Sequence, residues 1–551
     1  MPKNILNLIR EENAANTVKL TSNKKLTIGE IVAVAHHGAS VSIEISKEQE
    51  EQLHTIYQKM LEQVADGVPI YGTTASYGGQ AGHVLTKGEK EFRVSQAKKL
   101  SEAIVHVDVS TGDPIPKEIV RAAMLLRLNM LLPGYSGVKM ETLESLAELI
   151  NSRLTPIVGR YGTLGASGDL AHNGRVLSVL RHLDNVFVWD ETGTKVSAKS
   201  ALEKIGHKPL DIDAKEGLAM VNGDNFSTAT TALITHELTN LLFLNFGISA
   251  ISIQALKGSI RDFHPLLAHV RPHPGQKFTA DILRNLLIDS KLAYQELTHH
   301  ETREPGVSVQ DVYSIRCLPQ YYGPDIERLD QIIQTIEINA NAVSDNPLWT
   351  TPETVTEGED PYQWVSGGNF LAMHMSESLD ALRKLAIHMV KQNDRHLNRM
   401  VNPNLNNGLP ANLSDEGEIS RCTFKGLQTQ MGMMEVYATI LAAPVNTAFG
   451  VHEELNQDLT SHAMTSGIMT LEVMKLLKRA MATNLIASCQ AIDLRGGPEL
   501  LSPPTRPLYD WLRERVPYIK VAQPLGHYVE DVAESLKEVN LEEIVKRSSS
   551  E

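Results

Sequence analysis

Ala166-Ser167-Gly168 is the stretch whose residue types make the most specific chemical proposal. The amide nitrogen of Gly168 can attack the carbonyl carbon of Ala166, water leaves, and Ser167 then loses its hydroxyl. The product is a five-membered 4-methylidene-imidazole-5-one (MIO), an electrophile built from backbone. Gly168 suits this step because no Cβ blocks the approach of nitrogen to carbonyl. Gly162 and Gly165 let the preceding chain bend sharply. The tripeptide alone would occur about 0.2 times by chance in a chain this long, so the reading rests on whether other residues supply the rest of a reaction.

One reaction such an electrophile would suit is removal of ammonia from an amino acid. The amine is a poor leaving group, and a covalent bond to an electrophile corrects that. The β-hydrogen is weakly acidic and needs a base. Tyr71 opens a Gly/Thr/Ser-rich loop, Tyr71-Gly72-Thr73-Thr74-Ala75-Ser76-Tyr77-Gly78-Gly79, of the kind that carries function. A tyrosine acts as a base only if cations or hydrogen-bond donors lower its pKa. Tyr313 and Arg316, three apart, share a face on a helical turn, and Arg316 offers a planar fork for a carboxylate. The chain has no glycine-rich phosphate loop with a following lysine and no metal-ligand motif.

These motifs together resemble the aromatic amino-acid ammonia-lyases and aminomutases, the histidine, phenylalanine and tyrosine lyase family. Gly162-Thr163-Leu164-Gly165-Ala166-Ser167-Gly168-Asp169-Leu170 resembles its electrophile loop. Gln310-Asp311-Val312-Tyr313-Ser314-Ile315-Arg316-Cys317-Leu318-Pro319-Gln320 follows its Gln-Asp-x-Tyr-Ser-x-Arg-x-x-Pro-Gln pattern. Asn222-Gly223, Asp345-Asn346-Pro347 and Gly368-Asn369-Phe370 match its amide segments, and Glu453-Glu454-Leu455-Asn456-Gln457-Asp458 resembles the plant-type Glu-x-x-Asn-Gln-Asp segment. The resemblance implies Tyr71 and Tyr313 as catalytic residues beside an MIO from Ala166-Ser167-Gly168. It implies that Arg316 holds the substrate carboxylate, that Gln310, Asn222, Asn346, Glu453 and Gln457 belong to the substrate pocket, and that Phe370 packs on the imidazolone ring. Two departures stand out: Ala75-Ser76 replaces an inner glycine and its neighbour, and His172-Asn173 replaces a proline and an apolar residue. In the family a residue pair faces the substrate ring, and a glycine follows it. Ungapped matching to Gly112 puts Asp108-Val109 there, while a two-residue shift puts His106-Val107 there. A carboxylate at Asp108 would accept from a phenol or an imidazole. The expected reaction is deamination of L-tyrosine to trans-p-coumarate and ammonia. A tyrosine aminomutase, a phenylalanine or histidine lyase, and an inactive helical scaffold are the alternatives.

The elements that must position these groups read as mainly α. Thr27 and Glu30 predict a capping box, and Ser46 and Gln49 a second. Leu53, Ile56, Tyr57, Met60 and Val64 mark a helix that Gly67 and Pro69 stop. Residues 90 to 107 read as helical, and 196 to 213 as a surface excursion. Leu329, Ile332, Ile333 and Ile336 mark a long helix; so do Met375, Leu379, Leu382, Ala386 and Met389, at near-heptad spacing. A third long helix is predicted from about 465 to 484. Glu453 and Gln457 are expected four apart on one helix face. The apolar stretch 233 to 256 is interrupted by His236, Glu237, Asn240 and Asn245 and predicts a buried helix, not a membrane span. The expected fold is a long-helix bundle of the ammonia-lyase (fumarase/aspartase-like) type. Residues 1–215 would form a smaller N-terminal lobe with both loops, and 216–551 the bundle and C-terminal helices.

Composition bounds the partners. The chain has 551 residues, 42% hydrophobic, with a formal charge of −14, enough for a large core and unsuited to nucleic acid. The three cysteines, Cys317, Cys422 and Cys489, lack metal or disulfide spacing and predict a reduced, cytoplasmic protein. The resemblance adds a homotetramer whose active sites combine residues of several subunits, taking a small aromatic amino acid and no external metal or cofactor.

Overall fold

The computed structural model describes residues 3–10, 16–21, 23–294, 309–448 and 450–548. Helix α1 (Ile28–His36) starts on the predicted capping box: Glu30 N donates to Thr27 Oγ1, and Thr27 N to Glu30 Oε2 at 3.1 Å. Ser46 caps α2 (Lys47–Asp66) by accepting from Gln49 N. The Gln49 side chain leaves that box half-made, donating instead to Leu132 O. Gly67 ends α2 in the left-handed conformation, φ 79°. Then come α3 (Lys90–Ala103), a 3₁₀ turn (Ile104–Val107), α4 (Lys117–Leu131) and α5 (Leu170–Leu180). The surface excursion holds more structure than expected: it opens on a strand (Lys195–Ser197) that pairs with Phe187–Trp189 before it, and continues as a helix (Ala198–Lys204).

The body is four long helices: α6 (Asn225–Ala255), α7 (Leu318–Ala340), α8 (Met373–Val401) and α9 (Ala463–Leu494). Helix α9 packs along α8 and α6, and α4 lies on α6. The predicted stripes on α7 and α8 are buried. Helix α9 runs past the expected end at residue 484 because its buried polar residues find partners on neighbouring elements. Asn484 Nδ2 donates to Asn393 Oδ1 at 2.9 Å, the Ser488 hydroxyl lies 2.8 Å from that of Ser252, and Gln490 Nε2 donates to Ile519 O. Helix α6 hides its hydroxyls differently: Thr230, Thr231, Thr239 and Ser249 each donate to the carbonyl four residues earlier. It is thus a buried core helix despite its polar residues.

One apolar core runs across the 215/216 position, joining α1 and α4 to the bundle. A smaller cluster of Ile56, Met60, Val64, Ile70, Ala97, Ala214 and Trp349 sits under the Tyr71 loop and anchors it through Ile70. Thr111–Pro114 pairs antiparallel with Gly159–Tyr161, fixing the entry to the electrophile loop.

Candidate active site

The Ala166-Ser167-Gly168 turn is held from three sides. Gly165 and Gly168 have φ of 68° and 73°, which L side chains disfavour. A Cβ on Gly168 would lie 2.6 Å from the backbone of Gly223, and one on Gly165 would lie 2.3 Å from Ser461 Oγ. Ser461 Oγ donates to Gly165 O and His462 N to Leu164 O, each at 2.8 Å. Behind the turn, Asp169 N donates to Gly223 O. Ala166 is buried, and the half-buried Ser167 hydroxyl accepts from Gln457 Nε2 at 2.8 Å. The buried Asp169 carboxyl is pushed up to about 7 by desolvation, against hydrogen bonds from Ser227. Asn173 resolves one sequence departure: its amide donates to Val221 O and Gly223 O, stitching the Asn222 segment to α5. His172 packs on Phe226, and burial pulls it down to about 4.

The Tyr71 loop keeps glycine where it is needed. Gly72 and Gly78 have φ of 63° and 55°, whereas Ala75 and Ser76 do not take positive φ, so the replaced glycine is dispensable. Tyr71 Oη accepts from Gly78 N at 3.0 Å. The predicted helix carrying Glu453 and Gln457 does not form. Glu453, Glu454 and Leu455 take consecutive positive φ values, and His452 pairs with Gln457 across a tight turn. That turn turns Gln457 onto Ser167 and lays the Glu453 carboxylate over Gly78, where a Cβ would be 2.4 Å from Glu453 Oε2. Burial raises the Tyr71 pKa, the Gly78 N–H lowers it, and Glu453 raises it further. Among the described residues, one chain therefore supplies a donor for the phenolate but no cation. Glu453→Gln removes a negative charge that favours the neutral phenol. If Tyr71 acts as a base, the acid limb of kcat/KM should move to lower pH in this variant. A pH–rate profile with an unmoved limb would separate Glu453 from Tyr71.

The amide segments converge behind the loop. Asn222 is buried beside Gly223, and its Oδ1 has no hydrogen-bond partner among the described residues, a vacancy for a donor. Asn346 Oδ1 accepts from Gly367 N at 2.8 Å and from Ser366 Oγ. Phe370 is half-buried just before α8, whose first turn touches the loop through Ser376 Oγ and Ser461 O. The sequence reading missed Arg127 and Lys215 and gave no role to Asp345 within its segment; these fully enclosed charges tie the segments together. Arg127 alone amid Met124-Leu125-Leu126 and Leu128 was the available signal.

Of the two ring-facing registers, the structure separates the side chains. The Asp108 carboxylate is gripped by Arg175 Nε at 2.8 and 2.9 Å, which ties it to α5. Val109 is exposed. His106, on the 3₁₀ turn, lies with its ring centroid 6.2 Å from that of Tyr77 in the Tyr71 loop. Its Nδ1 donates to Ala103 O at 2.9 Å.

Tyr313 and Arg316 form a one-turn helix, with the guanidinium 4.5 Å above the phenol ring. Gln310, with its amide oxygen turned inward, accepts from Arg316 Nη2 at 2.6 Å. Tyr313 is 73% exposed. This turn is not at the electrophile loop of its own chain. Ser314 O accepts from His396 Nε2 near the far end of α8, twenty residues beyond Ser376, or about 30 Å of helix.

A match to the family described as aromatic amino acid lyase spans residues 26–514. A phenylalanine ammonia-lyase of Nostoc punctiforme is 33% identical over 88% of this chain and 83% of its own length. A histidine ammonia-lyase of Streptococcus gordonii is 30% identical over 92% and 93%. Among solved structures, a Pantoea agglomerans phenylalanine aminomutase superposes with a TM-score of 0.86 at 26% identity, over 95% of this chain and 99% of that one. Motif order, helical bundle and matched length agree, and the chain belongs to the aromatic amino acid lyase family of carbon–nitrogen lyases.

Proposed function

We propose that this protein deaminates L-tyrosine to trans-p-coumarate and ammonia, with an MIO formed from Ala166-Ser167-Gly168. The observation that carries the reading is the loop itself. Gly168 is locked in a left-handed turn against Gly223, with the Ser167 hydroxyl held by Gln457. These residues fit the group, which when formed supplies an electrophile for the substrate amine. Tyr71 then takes the β-proton, and Asn222 Oδ1 accepts a donor from the bound substrate or loop. Arg316, steadied by Gln310, holds the carboxylate, and Tyr313 helps the amine depart.

The last three residues reach the loop only from another copy of the chain, given the distance along α8. Their cation would also supply what Tyr71 lacks within one subunit. An apolar face supports assembly: Met433, Val436 and Ile440 are 63%, 58% and 70% exposed at helical spacing on Lys425–Ile440. A homotetramer with shared sites is the reading that accommodates both. The free thiols, with Cys422 exposed, suit a reducing cytoplasm.

Tyrosine is favoured by His106. A carbonyl only accepts, so Nδ1 carries the proton in the pair with Ala103 O. In the neutral ring Nε2 is then an acceptor, which suits a phenol hydroxyl. The aminomutase likeness supports a second outcome, return of ammonia to the β-carbon. Chromatography of products from tyrosine, phenylalanine and histidine tests both. Coumarate should dominate, and His106→Phe should shift the kcat/KM ratio toward phenylalanine by about tenfold or more. An unchanged ratio would remove His106 from the ring site, and a β-amino acid product would favour the aminomutase.

A further inference from the structure

Arg127, Lys215 and Asp345 are enclosed beside the electrophile loop, and none takes part in the chemistry above. Lys215 Nζ lies 2.5 Å from Asp345 Oδ2, and Arg127 Nη2 lies 3.9 Å from Asp345 Oδ1. Burial pulls both cations below their ordinary pKa, and Asp345 opposes this. Buried charges are a poor way to stabilise a core, so what the guanidinium holds is the informative question. Nε donates to Ala219 O at 2.9 Å, Nη1 to Ser344 O at 2.6 Å and Nη2 to Asn222 O at 3.4 Å. Nη2 also bonds Ala219 O. These acceptors are carbonyls of the two segments that carry Asn222 and Asn346. Ala219 O lies in the last turn of the Glu216–Val221 helix, where carbonyls lack helical partners.

The other side of the same peptide presses on the loop. Gly223 O accepts from Asp169 N at 2.8 Å and from Asn173 Nδ2 at 3.1 Å. A Cβ on Gly168 would meet Gly223 N, C and O at 2.6 Å, and a Cβ on Gly223 would meet Arg127 Nη1 at 1.9 Å. The Gly223 peptide is thus a wedge one glycine thick between Arg127 and Gly168.

We propose that Arg127, locked by the Lys215–Asp345 pair, is a positioning residue for maturation of the electrophile. It holds the Asn222-Gly223 peptide against Gly168, which keeps the turn closed enough for the Gly168 nitrogen to reach the Ala166 carbonyl carbon. In that step the N–C bond forms and the Gly168 N–H proton passes to the former carbonyl oxygen. The hydroxyl so made leaves with the Ser167 N–H proton as water, giving a C=N bond. Ser167 then loses its Cα proton and hydroxyl as a second water. No oxidant or reductant is needed. The inference rests on the MIO reading of the preceding section.

Intact-mass spectrometry of freshly expressed protein tests it, with the fraction of subunits lacking two waters as the readout. Arg127→Met leaves Lys215 and Asp345 as a neutral pair, so the fold should persist by circular dichroism. The mature fraction should fall at least fivefold. Gly223→Ala, which pushes the guanidinium away while keeping it, should lower that fraction too and carries the test if Arg127→Met does not fold. Among the described residues, Arg121 on the same helix bonds only Val34 O and Ile150 O, so Arg121→Met controls for losing a buried guanidinium and should mature fully. Wild-type maturation in folded Arg127→Met, or in Gly223→Ala where that variant carries the test, overturns the proposal. So does an equal loss in Arg121→Met. Wild-type protein without the deficit would remove the MIO reading itself, and this inference with it.

Discussion

Ser167→Ala should keep at least the second of the two waters that native subunits lose, having no hydroxyl to eliminate, and lower kcat by about a thousandfold or more, the scale on which loss of a covalent group acts. Native subunits should weigh about two waters less, because cyclisation and serine dehydration each release one. The substitution isolates chemistry from folding. Ser167 is half-buried, and its side chain is bonded to Gln457. The glycines at 165 and 168 that set the turn are untouched, as are the Ser461 and His462 contacts that hold it. Thermal unfolding should therefore shift little, because the contacts that hold the turn are kept. Intact mass and single-turnover kinetics together decide the matter. Native protein at full mass, or a Ser167→Ala variant with native kcat, would end the electrophile mechanism.

The sequence was informative wherever a residue's identity is dictated by backbone geometry. Gly165 and Gly168 stand at positive φ, as do Gly72 and Gly78, and a residue with no Cβ announces such positions. The apolar stripes of α7 and α8 were legible because period alone places them inside. What was not legible depended on partners distant in the chain. The end of α9 was hidden because Asn484, Ser488 and Gln490 read as solvent-facing until their partners on other elements are known. The Glu453 turn was read as a helix because four-residue spacing ignores the left-handed run at Glu453, Glu454 and Leu455. The choice between Asp108 and His106 as the ring-facing residue was left open for the same reason. Nothing local to Asp108 tells that Arg175, on the helix after the loop, takes its carboxylate. Charge pairing across the fold thus decides which of two nearby polar side chains remains available to a ligand.

Co-expressing Ser167→Ala with Arg316→Ala should recover about a quarter of native activity, the share of sites that random mixing completes with one intact loop and one intact arginine. Each variant alone should be nearly inactive. Loss of Arg316 strands a substrate carboxylate, and truncating one partner of a desolvated charge pair costs about 2–5 kcal/mol. The expectation comes from the length of α8. Ser376 at its start touches Ser461 beside the electrophile loop, while His396 near its end holds the Tyr313–Arg316 turn. A rigid helix fixes those points about 30 Å apart, farther than an amino-acid substrate can bridge. Antiparallel packing of two such helices would instead bring one chain's Arg316 to the other's Ser167, and a symmetric assembly repeats the arrangement at every site. Two affinity tags select the mixed oligomers, and intact mass reports the ratio of the two subunits within them. Recovery no greater than the sum of the two single variants would mean that Arg316 and Ser167 do not meet across subunits, and the carboxylate clamp would then have to be sought within the chain.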